Sequence, residues 1–419
     1  MASTLVDARS RLSAPARLPS FRLLWLGQSL SLLGDGFSYI AFSWITLGLT
    51  QSTLALGYVL AFQAVPRALL TLVGGSLSDT WSSRTLMTLS SWARAVLMAA
   101  VGLAGLAGSL TVWMLCCAAA AFGAVDAFFQ PARASILPSV VDKEQLAPAN
   151  ALLAVAAKVS AVLGPAVGGM VVAFSNAPVA FLVDGVCFAL CGLCVARIRP
   201  LPRPGPDAPV AGAAAPAAAL SLGARIRAGL RYAFEDPRIR TILAVDAAVT
   251  FCQAGPFTVG FASLAKVDLH GGSTTLGLLN GALAGGAMLG TLVGGAVSGR
   301  PRIGLLIAAL AGWLAIGTGL LGLIGSTAGA LATVLAMGFG MGFQGVFGLS
   351  WIQRTIDGSV LSRVISVDMV IGYAVAPLSL IVCGAMAQSG TGPMFALSAA
   401  VLAVTAIGIL GSRTVREMR

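Results

Sequence analysis

Apolar positions along this chain gather into long unbroken runs instead of alternating with polar ones. The runs span residues 23–49, 54–78, 85–107, 110–129, 149–174 and 178–196. After a polar interval they resume at 239–264, 274–298, 303–324, 328–350, 364–388 and 393–410. Each is close to the ~20 residues that a helix needs to cross a bilayer at about 1.5 Å of rise per residue. A segment in lipid must satisfy its own backbone hydrogen bonds, which a helix does. The pattern predicts an all-α membrane protein with twelve transmembrane helices in two sets of six.

The polar stretches divide the chain further. Residues 1–22 carry Arg9, Arg11 and Arg17 and lack an apolar core, so they read as a cytosolic tail and not as a cleavable signal. A six-helix bundle follows at 23–196, then a linker at 197–238, a second bundle at 239–410 and a short tail at 411–419. The linker opens Pro-rich (Pro200, Pro202, Pro204, Pro206, Pro209). It then sets Leu222, Ile226, Leu230 and Phe234 at helical spacing opposite Arg225, Arg227 and Arg231. This is either a basic amphipathic helix lying on anionic lipid or a solvated linker helix.

Composition agrees with the pattern. Hydrophobic residues make up 57% of the chain, charged residues 10%, and the mean hydropathy is +0.91. The net charge of +11 would suit nucleic acid, but its placement points elsewhere. Arg67, Arg94 and Lys158 lie inside apolar runs and Lys266 follows the seventh. The other basic residues gather in the tails, the linker and the loops on one side. The positive-inside rule then puts both termini and the linker in the cytoplasm, with no role for nucleic acid. All seven cysteines fall inside apolar runs, and Cys191-x-x-Cys194 has no second pair and no nearby His, so packing is the expected role. One His, His270, cannot build a His-based metal or catalytic site. No phosphate-binding G-x-x-x-x-G-K-[ST] loop occurs, so no cofactor, metal or nucleotide is expected.

Between the second and third runs the chain reads Gly74-Gly75-Ser76-Leu77-Ser78-Asp79-Thr80-Trp81-Ser82-Ser83-Arg84. Here it resembles the major facilitator superfamily, whose loop between helices two and three carries Gly, Leu, Asp and Arg as at Gly75, Leu77, Asp79 and Arg84. Trp81, Ser82 and Ser83 depart from that motif. A degenerate copy, Gly294 to Arg300, lies 220 residues on and lacks the Asp. The resemblance implies two parallel six-helix repeats with the substrate path between them. It also implies a gating network of Gly75, Asp79, Arg84 and Asp126, with Arg363 and Asp368 near helix eleven. On this reading Asp126 lies near the inner end of helix four, close to water.

A charge at membrane depth is costly and faces either the bundle interior or a wet cavity. Asp35, between Gly34 and Gly36, falls near the middle of the first helix. Desolvation penalises its charged form, which suits a group that takes a proton from one side and releases it to the other. The other reading is an Asp that pairs with an Arg to hold helices together. Arg67, Arg94 and Lys158 read as mid-depth cations, with Gln63 one turn before Arg67 and Gln28 one turn into the first helix. Three cations against one carboxylate leave either a wet cavity awaiting an anionic group or a set of internal pairs. Asp184 and Asp246 are also buried in runs, with nothing in the sequence to separate path from packing.

The segment Leu26 to Asp35, with Thr50-Gln51-Ser52 after it, resembles one facilitator branch. That branch contains macrolide efflux pumps and enterobactin-type siderophore exporters. Pro131-Ala132-Arg133-Ala134-Ser135-Ile136-Leu137-Pro138, followed by Ala149-Asn150, resembles it as well. Gly164-Pro165-Ala166-Val167-Gly168-Gly169 is similar to the end of the antiporter motif of helix five; the alternative is a small-residue packing seam. Together these resemblances imply a proton-coupled exporter of a small amphipathic molecule in a bacterial inner membrane. A lipid-handling facilitator and a non-transporting sensor or scaffold stay open beside it.

Overall fold

The computed structural model describes residues 15–77, 82–199, 237–296, 303–355 and 358–411. In chain order the long helices are α1 (Pro19–Thr50), α2 (Thr53–Leu77), α3 (Ser83–Leu106), α4 (Val112–Ile136), α5 (Leu146–Phe174) and α6 (Ala177–Ala196). The second set is α7 (from Pro237), α8 (Gly272–Ala296), α9 (Ile303–Leu321), α10 (Thr327–Thr355), α11 (Gly358–Met386) and α12 (Thr391–Gly411). Twelve helices among the described residues are long and apolar enough to cross a membrane.

Local chemistry sets the reversals. Gln51 adopts a left-handed conformation (φ 52°) that ends α1 and turns the chain directly into α2. Thr111 caps α4 and Asn176 caps α6, each accepting from the backbone amide three residues on. α7 is not a plain helix. It runs as α-helix to Gly255, widens into π turns at Pro256–Gly260 and Leu264–Asp268, and is α-helical between them. Pro256 has no N–H to give the α ladder, and widened turns absorb such defects.

Two boundaries differ from the hydropathy pattern. α4 does not stop at Phe129 but continues through Gln130, Pro131 and Arg133 to Ile136. α11 begins at Gly358, before the apolar run at 364. The α4 extension stays helical because the bundle packs around it, with Ala132 and Ile136 buried.

The two sets repeat one packing scheme. In the first, α2 packs on α4, α3 on α6, and α1 on α5 and α6; in the second, α8 packs on α10, α9 on α12, and α7 on α11 and α12. Across the sets α5 meets α8 and α2 meets α11. Small residues permit these approaches. A Cβ on Gly36 would overlap the backbone of Gly164 and Pro165, and one on Gly123 would overlap the backbone of Gln63. Five hydrogen bonds join the sets among the described residues. They are Tyr39 Oη to Thr258 O (3.1 Å), Thr53 Oγ1 to Gly384 O (2.8 Å), Lys266 Nζ to Leu47 O (2.5 Å), Ser273 Oγ to Gly169 O (3.0 Å) and Gln388 Nε2 to Ser52 Oγ (3.3 Å). All lie past the middle of the helices, toward the end where α1 turns into α2.

Candidate functional site

Where α1, α2 and α4 face α7 and α11, the structure encloses a cavity of about 620 Å³. Leu60, Phe122 and Leu380 give it apolar walls, while Gln63, Gln130 and Tyr373 offer polar groups. Two charged side chains among the described lining residues reach it, Asp35 from α1 and Arg67 from α2. Asp35 is 33% exposed and Arg67 is 42% exposed.

Behind the wall lies a buried ion-pair chain. The Arg94 guanidinium, fully buried on α3, is held between the Phe129 and Phe188 rings, with its carbon 4.2 Å from each centroid. Its Nη1 lies 3.2 Å from Asp126 Oδ1 and 3.6 Å from Asp35 Oδ1, and its Nη2 donates to Ser31 Oγ at 3.3 Å. Asp126 Oδ2 in turn lies 2.8 Å from Arg67 Nη2. The order along the chain is Asp35, Arg94, Asp126, Arg67, two anions alternating with two cations. Alternation of this kind offsets the desolvation that an isolated buried charge would suffer. The flat guanidinium suits the slot because it stacks on both rings while its edge serves the carboxylates.

The expected sites therefore regroup. Asp126 is not a water-side gate residue: it is 1% exposed and bonded to Arg94 and Arg67. The longer α4 explains this, since Asp126 lies ten residues, or ~15 Å, from the helix end instead of three residues. Arg84 does not reach Asp126 either; its guanidinium donates to the Ala196 carbonyl at the end of α6. The three expected mid-depth cations do not stay together. Arg67 and Arg94 are matched by two carboxylates, and Lys158 is exposed on α5 with no part in the cluster. Gln63 lines the cavity, whereas Gln28 is buried and accepts from Arg133 Nε at 3.2 Å.

Gly164 and Gly168 pack on α1 at Leu33, Gly36 and Phe37, while Gly169 and the Pro165 carbonyl meet Ser273 and Gly277 of α8. The antiporter-like stretch thus forms a close seam joining three helices. Asp184, fully buried on α6, is hydrogen-bonded to Ser38 of α1, and Asp246 accepts from Thr250 at 3.5 Å. Asp79 lies outside the described residues, and at Gly75, Arg363 and Asp368 the backbone alone is described. No group of three or more metal-ligating side chains occurs among the described residues.

Twelve spans in two like sets, meeting over a central cavity with a charged wall, are the architecture of a membrane transporter built from six-helix repeats. Residues 24–380 match the family model of the Major Facilitator Superfamily, and the chain belongs to that family. Its members are transporters and not enzymes. The chain is 23% identical over 397 residues to the uncharacterized MFS-type transporter YvqJ of Bacillus subtilis (strain 168), covering 93% of this chain and 92% of that one. It is 25% identical over 364 residues to the multidrug efflux pump Tap of Mycolicibacterium fortuitum, covering 85% and 86%. Over a shorter stretch, 37% of this chain and 40% of the relative, it is 28% identical to the staphyloferrin A transporter of Staphylococcus aureus (strain NCTC 8325 / PS 47). The crystal structure of the nucleoside transporter NupG shares the fold, with a TM-score of 0.70 at 12% identity over 93% of this chain and 98% of that one.

Proposed function

We propose that this transporter exports a small amphipathic molecule, a drug or siderophore-like metabolite, in exchange for protons, and that Asp35 is the coupling carboxylate. One observation carries the reading: Asp35 both faces the cavity and contacts the buried Arg94. A proton or a cationic group on the ligand competes for the same oxygen atoms, and that competition is what antiport needs. Antiport is reciprocal, so proton binding must weaken ligand binding by the factor with which ligand weakens proton binding. One relative supports the direction of transport, since it bears the name multidrug efflux pump; another is named a staphyloferrin A transporter. The resemblance to the macrolide and siderophore branch belongs to the same proposal.

On this reading the bundles at 23–196 and 239–410 rock about the cavity, in a bacterial inner membrane with both termini cytoplasmic. The five hydrogen bonds between the sets then hold the external end shut. Gly75, Asp79, Arg84, Arg363 and Asp368 would form the opposing latch on the cytoplasmic side. The decisive experiment is substrate-driven proton flux in proteoliposomes with wild type and Asp35→Asn. Flux in wild type and its loss in the variant, with ligand still bound, is the expected result. Equal flux in both would remove Asp35 from the mechanism.

A further inference from the structure

We infer that the cavity selects ligands that carry a cationic and an anionic group together, and that Arg67 is the residue that recognises the anion. The inference deepens the export reading above and rests on it for the direction of transport. It starts from which charges a ligand can touch. Arg94 and Asp126 are sealed in the protein, with side-chain exposures of 0% and 2%. Asp35 and Arg67 are the two charged lining residues described, and both are substantially exposed. One terminal nitrogen of Arg67 is held by Asp126, which fixes the guanidinium in place, and its other N–H donors have no partner among the described residues.

Charge balance then decides the ligand class. The two charged groups that a ligand can reach among the described lining residues are one carboxylate and one guanidinium, so the wall offers one accessible anion and one accessible cation. A purely cationic ligand satisfies Asp35 but adds an unmatched positive charge beside Arg67. A purely anionic ligand satisfies Arg67 but adds an unmatched negative charge beside Asp35. A ligand with both groups pairs at both ends and leaves the site neutral, which a low-dielectric environment favours. The buried links also couple the two ends. A ligand cation drawing on Asp35 leaves Arg94 more fully to Asp126, which loosens the hold of Asp126 on Arg67 and frees it for the ligand anion.

Isothermal titration of the purified full chain in nanodiscs tests this with a matched pair of probes. One is a fluoroquinolone bearing a piperazinium and a carboxylate; the other is its methyl ester, which keeps only the cation. Wild type is expected to prefer the zwitterion, and Arg67→Gln to reduce the ratio of the two affinities about tenfold, or ~1.4 kcal/mol. Arg67→Lys keeps the pairing with Asp126 but not the forked donors, so an intermediate ratio is expected. Equal affinity for both probes in wild type, binding of neither, or an unchanged ratio in Arg67→Gln would overturn the inference. Failure of the export reading has a different signature. Ester binding that ignores both pH and Asp35→Asn would sink proton competition at Asp35 while leaving the anion preference of Arg67 intact.

Discussion

Arg67, open to the cavity, is anchored at 2.8 Å on Asp126, which is sealed from it. An accessible cation thus takes its position from a buried anion that serves Arg94 at the same time. Removing Asp126 frees one cation and strands the other.

Asp126→Asn should therefore lower stability more than Asp35→Asn does. Breaking a buried pair by removing one partner costs about 3–5 kcal/mol, whereas Asp35 is partly exposed and lies farther from Arg94. Thermal unfolding in detergent micelles measures the difference. Equal shifts for the two variants would contradict the buried role of Asp126.

Arg94→Lys preserves the charge and removes the plane that fits between Phe129 and Phe188. A lysine cannot stack on both rings while serving Asp35, Asp126 and Ser31, so a loss of about 1–3 kcal/mol is expected. The same unfolding assay reads it, and a melting temperature equal to wild type would show that the slot does not require a guanidinium.

Lys266 donates to Leu47 near the C-terminal end of α1 and lies 5.9 Å from the Trp44 ring centroid. A cation at a helix C-terminus is favoured by the helix dipole, so this contact supports the closed end in two ways. Lys266→Met should shift the population toward an opening at that end. Spin labels at Ser52 and Gln388 would report a longer mean distance in the variant; an unchanged distribution would exclude Lys266 as a brace.

Gly36→Leu should abolish folding, because α1 and α5 have no room for a side chain where Gly36 meets Gly164 and Pro165. Lys158→Gln should leave the melting temperature within the scatter of surface substitutions, about 0.5 kcal/mol. Monodisperse protein from both variants would contradict the first expectation.

The architecture was legible in the sequence because lipid imposes a single rule on every span: twenty apolar residues, helical, with basic loops on one side. Asp35, Arg67 and Arg94 were legible for a related reason, since a charge inside an apolar run is conspicuous. Asp126 was misread because hydropathy marks where apolar residues stop, not where the helix stops, and α4 continues for seven residues past Phe129. Arg133 came along with that extension and turned out to approach Gln28. The aromatic slot was not legible at all. Phe129 and Phe188 are 59 residues apart on different helices, and nothing in either local pattern distinguishes them from other core phenylalanines. Lys158 stands apart from the ion-pair cluster, exposed on α5, because depth in a span says nothing about which way a helix face points.

The repeats match in how their helices pack, yet the ion-pair chain from Asp35 to Arg67 is built wholly from the first four helices. Among the described residues the second repeat contributes Tyr373, Thr258 and Leu380 to the cavity, a wall of hydroxyls and hydrocarbon. A duplicated scaffold has in this way become a lock facing a plain door. Changes in what the protein carries could then arise by recontouring the door, one uncharged side chain at a time, without disturbing the ion-pair chain opposite.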